Sequence, residues 1–594
     1  MARAEKVWHL LPSDPLATAR LTAALRVSPV IAQLLVNREL IDPPAARRFL
    51  ECSLSGLHPP EKLAGIPEAS RRLARAIAEK RKICVYGDYD VDGVTGTAIL
   101  LRLLEALGAD VQFHTPLRLS EGYGLNNERI RELARAGVRT IVSVDCGIAS
   151  IEEAEEAKKL GLELIVTDHH EMKFGLSGPV LPDAAVVVHP RLPGSDYPFG
   201  ELCGAGVAFK LAWALAAEIS GSEKVRADLR EVLLDGVGLA ALGLVADVVP
   251  LRDENRIFVK HGLERIRTKP TLGLRALLAE AGLTAGDSLN SEDIGYRLAP
   301  RLNAAGRLGC ARLAVELLTT RAPGRAAELA RFLEAQNAQR QSLERKFTQQ
   351  AKEAVERDHS NDPALVVGSA DWHPGVIGIV ASRLVEHYGR PALVIALPSD
   401  RDKDAVATGS GRSIPGFALH AALRACDELL EGHGGHAAAA GFKVRPEMIP
   451  AFRERFNAYV ARHYPGGMPA PRLVLDAEVP LSALTPALLR DLDKLEPYGA
   501  GNPRPRFLAS GLRALKPRVI GRGETPRHLD FRVRQGDTVL RCVAWNMAER
   551  IDELMSAGGD CCVAFTPRFN NWNGQQRVEM QVIDFKPGKV APLG

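Results

Sequence analysis

The sequence predicts an α/β protein: a doubly wound parallel sheet, a long connecting helix, a second α/β domain and a C-terminal OB-like β-barrel. Three observations predict this class. Short apolar runs alternate with amphipathic helical segments over residues 61–265, and the same alternation returns over 359–465. A long polar helical segment, 310–358, joins the two. Short alternating strand segments follow a Pro/Gly-rich linker at 463–472, as in small barrels.

The domain boundaries follow from these patterns, since 594 residues are enough for three or four domains. The nine cysteines form no CxxC pair, and residues 1–15 lack a sustained apolar segment, so a reduced cytoplasmic protein without a signal peptide is expected. The apolar run Gly236–Leu251 is short and contains Asp247, which indicates a buried element and not a membrane span. We predict a helical lead-in (1–60), a first α/β domain (61–265), a helical connector (266–358), a second α/β domain (359–465) and a barrel (470–590).

The first predicted strand, Ile83–Tyr86, ends at Gly87 and is followed by three carboxylates at alternate positions, with a helix expected from about Thr95. Ligands of open α/β sheets gather outside the carboxyl ends of the strands. Crowded carboxylates repel one another unless a cation lies between them. The carboxylates are Asp88, Asp90 and Asp92.

Three further predicted strands also end in polar side chains. Ile141–Val144 leads into Asp145, Leu164–Thr167 leads into Asp168, His169 and His170, and Ala185–Val188 leads into His189. Each group alone has an ordinary structural interpretation, such as a turn aspartate or a surface histidine pair. Together with Asp247, an acid inside an apolar run, they predict a two-metal hydrolytic site that binds Mn²⁺ or Mg²⁺.

Four segments carry a family resemblance: DYDVDG, VDCG, TDHH and ADVVPL resemble, in order, the motifs of the DHH phosphoesterase superfamily. The later WHPGVIGIVASRL, GSGRS and GGHAAAAG resemble its second domain, DHHA1. With the C-terminal barrel, the chain is most similar to the RecJ-type exonucleases, which are specific for single-stranded DNA. The sequence departs from many small relatives at Tyr86-Gly87-Asp88, where those carry a histidine.

The resemblance implies roles for the strand-end residues. It implies that Asp145 bridges two ions, that Asp168 orients the histidines and that His170 faces the substrate during catalysis. Which of the first three aspartates bind metal directly stays open. The implied metal ligands are Asp88, Asp90, Asp92, Asp145, His169 and Asp247.

A basic and glycine-rich set of residues is expected to hold a terminal phosphate. RLAPRLNAAGR (297–307) is predicted as a tight turn, and Ser-Gly-Arg at 410–412 offers a hydroxyl and a guanidinium. Each arginine alone is expected to be a surface ion-pair partner, and the resemblance implies phosphate binding instead for Arg301, Arg307 and Arg412. The candidates are Arg118, Arg301, Asn303, Arg307, Ser410, Arg412 and His436.

The barrel segment concentrates the positive charge that the net charge of +4 hides. Residues 504–541 contain ten Lys/Arg and only three Asp/Glu. Such a basic surface with interleaved aromatics holds single strands without reading their sequence. The candidate stacking residues are Phe507, Phe531, Trp545, Phe569 and Trp572.

The expected function is a 5′→3′ exonuclease that hydrolyses single-stranded DNA to 5′-mononucleotides in repair and recombination; the polarity is implied by the resemblance alone. Single-stranded DNA is the expected partner, with a single-stranded-DNA-binding protein and a helicase as candidate protein partners. The main alternative is a phosphodiesterase of short oligonucleotides or cyclic dinucleotides. Two others are a haloacid-dehalogenase phosphatase with Asp90 as nucleophile, from DVDGV, and an inactive DNA-binding scaffold.

Overall fold

The computed structural model describes residues 6–117, 121–175, 178–222, 224–284, 288–398, 406–521, 527–556, 558–572 and 575–591, with the backbone alone at 571, 572 and 575. Helices and short strands lead into the first sheet. Their bounds are β1 Val7–Leu10, α1 Pro15–Leu25, α2 Pro29–Val36, α3 Pro43–Glu51, α4 Ile66–Ala78, β2 Ile83–Gly87, α5 Val91–Ala106, β3 Val111–His114, α6 Asn127–Arg135, β4 Thr140–Val144, α7 Ile151–Lys159, β5 Glu163–Thr167, β6 Lys173–Gly175, β7 Gly178–Val180 and β8 Val186–Val188.

Helices dominate the middle of the chain, and a mixed sheet and a barrel follow. The helices are α8 Gly204–Ser220, α9 Ala227–Ala246, α10 Asp253–Thr268, α11 Leu272–Glu280, α12 Ser291–Asp293, a π-helical turn Ile294–Leu298, α13 Ala299–Arg307, α14 Ala311–Thr319 and α15 Pro323–Asp358. The second α/β region holds β9 Leu365–Ser369, α16 Ile377–Tyr388, β10 Ala392–Ala396, β11 Ala407–Arg412, α17 Leu419–Arg424, β12 Gly432–Gly435, β13 Ala439–Val444 and α18 Ile449–His463. The last region holds β14 Arg472–Leu475, β15 Ala477–Glu478, α19 Pro486–Asp493, β16 Phe507–Ile520, β17 His528–Gln535, β18 Thr538–Ala544, α20 Ile551–Met555, β19 Asp560–Trp572 and β20 Gln575–Pro587.

The first sheet is parallel, with strand order β3-β2-β4-β5-β8, and confirms the predicted fold class. Strands β2 and β4 are buried throughout because helices cover both faces, α4, α5, α8 and α9 on one and α6 and α7 on the other. The register pairs Gly87 with Val144, Val144 with Thr167, and Thr167 with Val188. The carboxyl ends of four strands therefore lie level, and the residues that follow them are neighbours.

Two local predictions differ from the structure. Helix α5 begins at Val91, four residues earlier than expected, because the Asp90 side chain accepts hydrogen bonds from the backbone N–H groups of Asp92 and Gly93 and caps the helix. The predicted turn at 297–307 is helical, since it spans the π-helical turn and α13. Gly306 allows α13 to approach the backbone at Tyr89 closely, because an added Cβ would lie 2.3 Å from the Tyr89 carbonyl oxygen.

The described chain divides into two compact units. One contains Leu10–Glu334 and Val474–Pro592, and the other is built around Ala335–Leu473. In the second unit a sheet of order β12-β13-β11-β10-β9 carries α16 and α15 residues on one face and α17 and α18 on the other. The predicted domain boundaries remain predictions.

The C-terminal strands form a closed five-stranded barrel in the order β16-β17-β18-β20-β19, with β19 pairing back to β16. The predicted barrel is confirmed. Its interior continues into the N-terminal helices α1–α3, so that lead-in and barrel share one core within the first unit. Leu21, Leu35 and Phe565 belong to this core, and all three have no exposed surface.

Within the described ranges, no single helix has both the length and the apolar composition needed to cross a bilayer. Helices α1 and α2 meet those criteria only when taken together, as a pair bent by 118°.

Candidate metal centre

The strand-end residues form one cluster at the carboxyl edge of the first sheet. Three overlapping groups each have ligand atoms close enough to share a cation, and Asp145 connects the first group to the histidines. The groups are Asp88, Asp90 and Asp145; Asp92, His169 and Asp247; and Asp145, His169 and His170. The structure thus brings together every residue that the sequence assigns to metal binding.

Asp145 lies at the centre of this cluster. Its Oδ1 is 3.1 Å from His169 Nε2, and both atoms are buried without a hydrogen-bond partner among the described residues. His169 Nε2 also lies 3.6 Å from Asp92 Oδ2 and 3.7 Å from Asp247 Oδ2. Asp145 has a backbone φ of 62°, a left-handed conformation that non-glycine residues rarely adopt outside special sites.

The electrostatics of the cluster favour a bound cation. Burial, and after it the charge of Asp92, raises the pKa of Asp145 well above its ordinary value. The same causes raise the pKa of Asp247 to about 8 and raise that of Asp90. Buried carboxylates that resist ionisation together are stabilised by a divalent ion, and oxygen ligands with one imidazole suit Mn²⁺ or Mg²⁺. The donor set therefore fits the two ions that the sequence predicts.

Asp168 anchors both histidines. Its Oδ1 accepts hydrogen bonds from the backbone N–H groups of His169 (2.7 Å) and His170 (3.1 Å) and lies 2.8 Å from His170 Nδ1. Its Oδ2 accepts from the Ile148 N–H at 2.9 Å. Burial alone would raise the pKa of Asp168, but the hydrogen bond and charge of His170 outweigh it and lower that pKa to about 2. The same pairing overcomes burial and raises the pKa of His170 to about 9.

The N-terminus of α8 holds Asp92, a contact that the sequence analysis missed. Asp92 accepts hydrogen bonds from the Gly204 N–H (2.6 Å) and the Ala205 N–H (2.9 Å), and Cys203 Sγ lies 2.8 Å from Oδ1. An added Cβ at Gly204 would lie 2.5 Å from the Asp145 Cβ. The only local signal was the small-residue sequence CGAG at the start of a helix.

Tyr123 also belongs to the centre. Its hydroxyl donates to the Asp145 carbonyl oxygen at 3.0 Å and lies 3.0 Å from His170 Nδ1. Tyr123 was not among the predicted site residues, although it lies five residues after Arg118 in a glycine-rich segment. Arg118 itself lies outside the described residues.

The predicted phosphate-binding residues of the first unit lie on α13. Asn303 Oδ1 accepts a hydrogen bond from the Val91 N–H at 3.2 Å, so it supports the first turn of α5 beside the metal centre. Arg301 Nε lies 2.5 Å from Glu334 Oε2 and Arg307 is half-buried at the end of α13. Phosphate binding by these residues stays a prediction.

The second unit brings Ser410 and Arg412 together on β11, with Arg412 Nη1 3.2 Å from Ser410 Oγ. Gly378, in the first turn of α16, lets both approach, because an added Cβ would lie 2.9 Å from Ser410 Oγ and 3.0 Å from Arg412 Nη2. A helix N-terminus beside a guanidinium and a hydroxyl suits a phosphate. His436 is exposed in the turn between β12 and β13.

The barrel carries a basic groove of about 890 Å³. Arg518, Arg532, Arg541 and Arg577 line it, and Asp530 pairs with both Arg518 and Arg541. Arg522, one of the ten predicted basic residues, lies outside the described residues.

The predicted stacking aromatics include both buried and exposed rings. Phe507 and Phe531 are buried in the barrel core, so their assignment as stacking residues is wrong. Apolar residues at alternate positions of a barrel strand point inward, and a ring there is core unless it is exposed. Trp545 is 49% exposed and Phe569 is half-buried. The side chain of Trp572 lies outside the described residues.

Comparisons with known proteins agree with this architecture. Three family models match: "DHH family, N-terminal domain" over residues 82–237, "DHHA1 domain" over 361–462 and "RecJ OB domain" over 475–584. The single-stranded-DNA-specific exonuclease RecJ of Bacillus subtilis is 38% identical over 577 residues, covering 97% of this chain and 70% of the relative. RecJ of Thermus thermophilus is 38% identical over 603 residues, covering 99% of this chain and 80% of the relative.

A solved structure supports the same relationship. The crystal structure of RecJ from Thermus thermophilus in complex with Mn²⁺ matches with a TM-score of 0.82 and 36% identity, covering 98% of this chain and 80% of that one. The haloacid-dehalogenase alternative is wrong. The Asp90 side chain caps helix α5, and the DHH family model matches the whole region around it, residues 82–237. This chain belongs to the RecJ family of DHH phosphoesterases.

Proposed function

We propose that this chain is a metal-dependent exonuclease that hydrolyses single-stranded DNA from its 5′ end and releases 5′-mononucleotides. One observation carries the proposal: five carboxylates and two imidazoles converge at one sheet edge. The relatives named above are single-stranded-DNA-specific exonucleases. The polarity and the product rest on the family resemblance of the motifs.

Two of the three ligand groups indicate how the metal ions would be held. Asp88 and Asp90 would bind one ion, Asp92, His169 and Asp247 would bind the other, and Asp145 would bridge them. RecJ of Thermus thermophilus has been solved with Mn²⁺ and with Mg²⁺. When bound, such a pair supplies Lewis acidity to the phosphate and lowers the pKa of water.

His170 would act on the scissile phosphate. Its Nδ1 is engaged by Asp168 and Tyr123, which leaves Nε2 as the ring nitrogen for the substrate. Against the effect of burial, the hydrogen bond and charge of Asp168 raise the pKa of His170, which favours a protonated ring whose Nε2 can donate a hydrogen bond to developing negative charge. Asp168 would fix the ring orientation.

The DHHA1 residues Ser410, Arg412 and His436 would bind the 5′-phosphate, and Arg301, Asn303, Arg307 and Arg118 would bind phosphates along the strand. The barrel groove would hold the rest of the strand through Arg532 and Arg577, where phosphate contacts release counterions. We propose a single-stranded-DNA-binding protein and a helicase as protein partners. We place the activity in the cytoplasm, as the nine free cysteines favour.

Replacing Arg412 with alanine is expected to lower the preference for a 5′-phosphate over a 5′-hydroxyl. The variant loses a charged hydrogen-bond donor beside the α16 N-terminus, and such bonds contribute about 1.5–3 kcal/mol. The measurement is kcat/KM on two strands that differ only in the 5′ group. Arg455→Ala, which removes a surface ion pair with Glu428 in the same unit, is the control. An unchanged phosphate-to-hydroxyl ratio in Arg412→Ala removes this residue from the phosphate site.

The proposed function is tested by incubating the purified chain with labelled single-stranded and duplex DNA in Mn²⁺, Mg²⁺ or EDTA. Release of mononucleotides from the single strand, with either metal and not in EDTA, supports it. Equal digestion of blunt duplex, or digestion that survives EDTA, contradicts it. A dinucleotide substrate distinguishes the phosphodiesterase alternative, which predicts faster turnover of the dinucleotide than of the long strand.

A further inference from the structure

We infer that the loop 494–504, which leads from α19 into the barrel, is a positioning element of the metal centre that holds Asp247 in place. The inference rests on the proposed function, because Asp247 is treated there as a metal ligand. It gives the C-terminal region a second task besides binding DNA. The loop and the metal centre belong to the same compact unit.

The chain is strained immediately after Asp247. Asp247 follows the last residue of α9, and its N–H donates to the Gly243 carbonyl at 2.9 Å. The next residue, Val248, has φ 60° and is 68% exposed. A β-branched residue in the left-handed region is strained, and it persists only where the surrounding contacts impose it.

The loop 494–504 supplies the contacts on the far side of Val248. The Leu251 N–H donates to the Ala500 carbonyl at 2.7 Å, and Arg252 Nε donates to the Gly501 carbonyl at 3.2 Å. From the core, Asn255 Nδ2 donates to the Pro250 carbonyl at 3.0 Å. The segment between Asp247 and Leu251 is therefore held between α9 and this loop.

The loop is itself firmly anchored, so it can resist that strain. Arg256, with 2% of its surface exposed, donates to the carbonyls of Leu495 (2.9 Å) and Glu496 (2.7 Å). The buried Asn502 side chain donates to the Leu495 carbonyl at 2.9 Å and to the Pro497 carbonyl at 2.8 Å. These bonds satisfy the carbonyls of a turn that lies in the interior.

Loop 494–504 lies in close contact with the segment after Asp247 at two glycines, Gly499 and Gly501. An added Cβ at Gly499 would lie 2.7 Å from Leu251 Cδ1. An added Cβ at Gly501 would lie 2.9 Å from Pro250 Cβ and 3.3 Å from Pro250 Cα, three residues from Asp247. A methyl group at position 501 must therefore displace Pro250 or the loop.

The test compares Gly501→Ala with Gly511→Ala in the full-length chain. Both glycines are exposed and have a similar positive φ, 68° and 64°, so each substitution places an alanine in the left-handed region. An added Cβ at Gly511 has no described atom within 4 Å. Only Gly501→Ala presses on Pro250.

Free Mn²⁺ is followed by electron paramagnetic resonance while each protein is titrated with MnCl₂. We expect Gly501→Ala to weaken one of two Mn²⁺ sites by about 10- to 100-fold, the loss typical when residues that orient a metal ligand are changed, and to leave the other site intact. Gly511→Ala keeps both affinities. A cooperative thermal transition in both variants shows that each remains folded, which separates local positioning from general unfolding.

Equal Mn²⁺ affinities in Gly501→Ala and Gly511→Ala overturn the inference. So does a parallel weakening of both Mn²⁺ sites, because that indicates a general disturbance and not a displacement of Asp247. A native protein that binds no Mn²⁺ instead contradicts the proposed function itself.

Discussion

Replacing Asp145 with asparagine is expected to abolish hydrolysis. Asparagine tolerates the left-handed backbone at this position, so the change removes the carboxylate charge and leaves the fold. We expect turnover to fall by at least about a thousandfold, beyond the 10- to 100-fold effect of residues that only orient a ligand, because Asp145 contacts both ligand groups.

The measurement is single-turnover hydrolysis of a labelled strand, accompanied by Mn²⁺ titration and by strand binding in EDTA. Binding in EDTA should persist, since the barrel groove lies elsewhere. Asp183→Asn, which removes one charge of an exposed pair with Lys158, serves as the control. Near-normal turnover in Asp145→Asn would make the bridging assignment wrong.

Removing the chain from residue 472 onward is expected to unfold helices α1–α3 and to slow hydrolysis, while the first sheet keeps its own core. A barrel that forms a separate domain after the 463–472 linker would leave a truncated enzyme that still cleaves short oligonucleotides. The structure predicts a less stable and slower truncated enzyme, because the barrel supplies most of the core that buries α1–α3. Each large apolar side chain exposed there costs about 1.5–3 kcal/mol. Loop 494–504, which holds the segment after Asp247, would be lost as well.

Circular dichroism and calorimetric melting check this expectation, together with hydrolysis of a five-nucleotide substrate. We expect a lower melting temperature and slower hydrolysis than in the full-length chain. A truncated protein that melts cooperatively and cleaves the short substrate at the full-length rate would show that the barrel is separable.

The metal centre is largely predictable because parallel strands place their carboxyl ends at one edge. A strand that ends in Asp145 and a strand that ends in Asp168 must bring these residues together once the strands pair in register. Local sequence therefore carries a tertiary contact. The edge strand β3 escaped notice because its four residues are half-buried and show no continuous apolar run.

Other features depend on contacts that leave no local pattern. Gly306 reads as a turn residue, but its role is to let α13 approach the Tyr89 carbonyl. Leu35 and Phe565 belong to one core although they lie far apart along the chain. The pattern of apolar residues in either segment does not show which other segment it packs against. The buried Arg256 reads as a surface charge until its carbonyl acceptors, residues 494–497, are seen.

The central claim is 5′→3′ hydrolysis of a single strand, and end-blocked substrates test it most directly. Two identical strands of about 40 nucleotides, well above the roughly 4–16 nucleotides that one OB fold binds, are each labelled internally and carry a bulky streptavidin block at the 5′ end or at the 3′ end. The account predicts that the full-length chain with Mn²⁺ degrades the 3′-blocked strand to 5′-mononucleotides and leaves the 5′-blocked strand intact. Degradation of the 5′-blocked strand at an equal rate would contradict it.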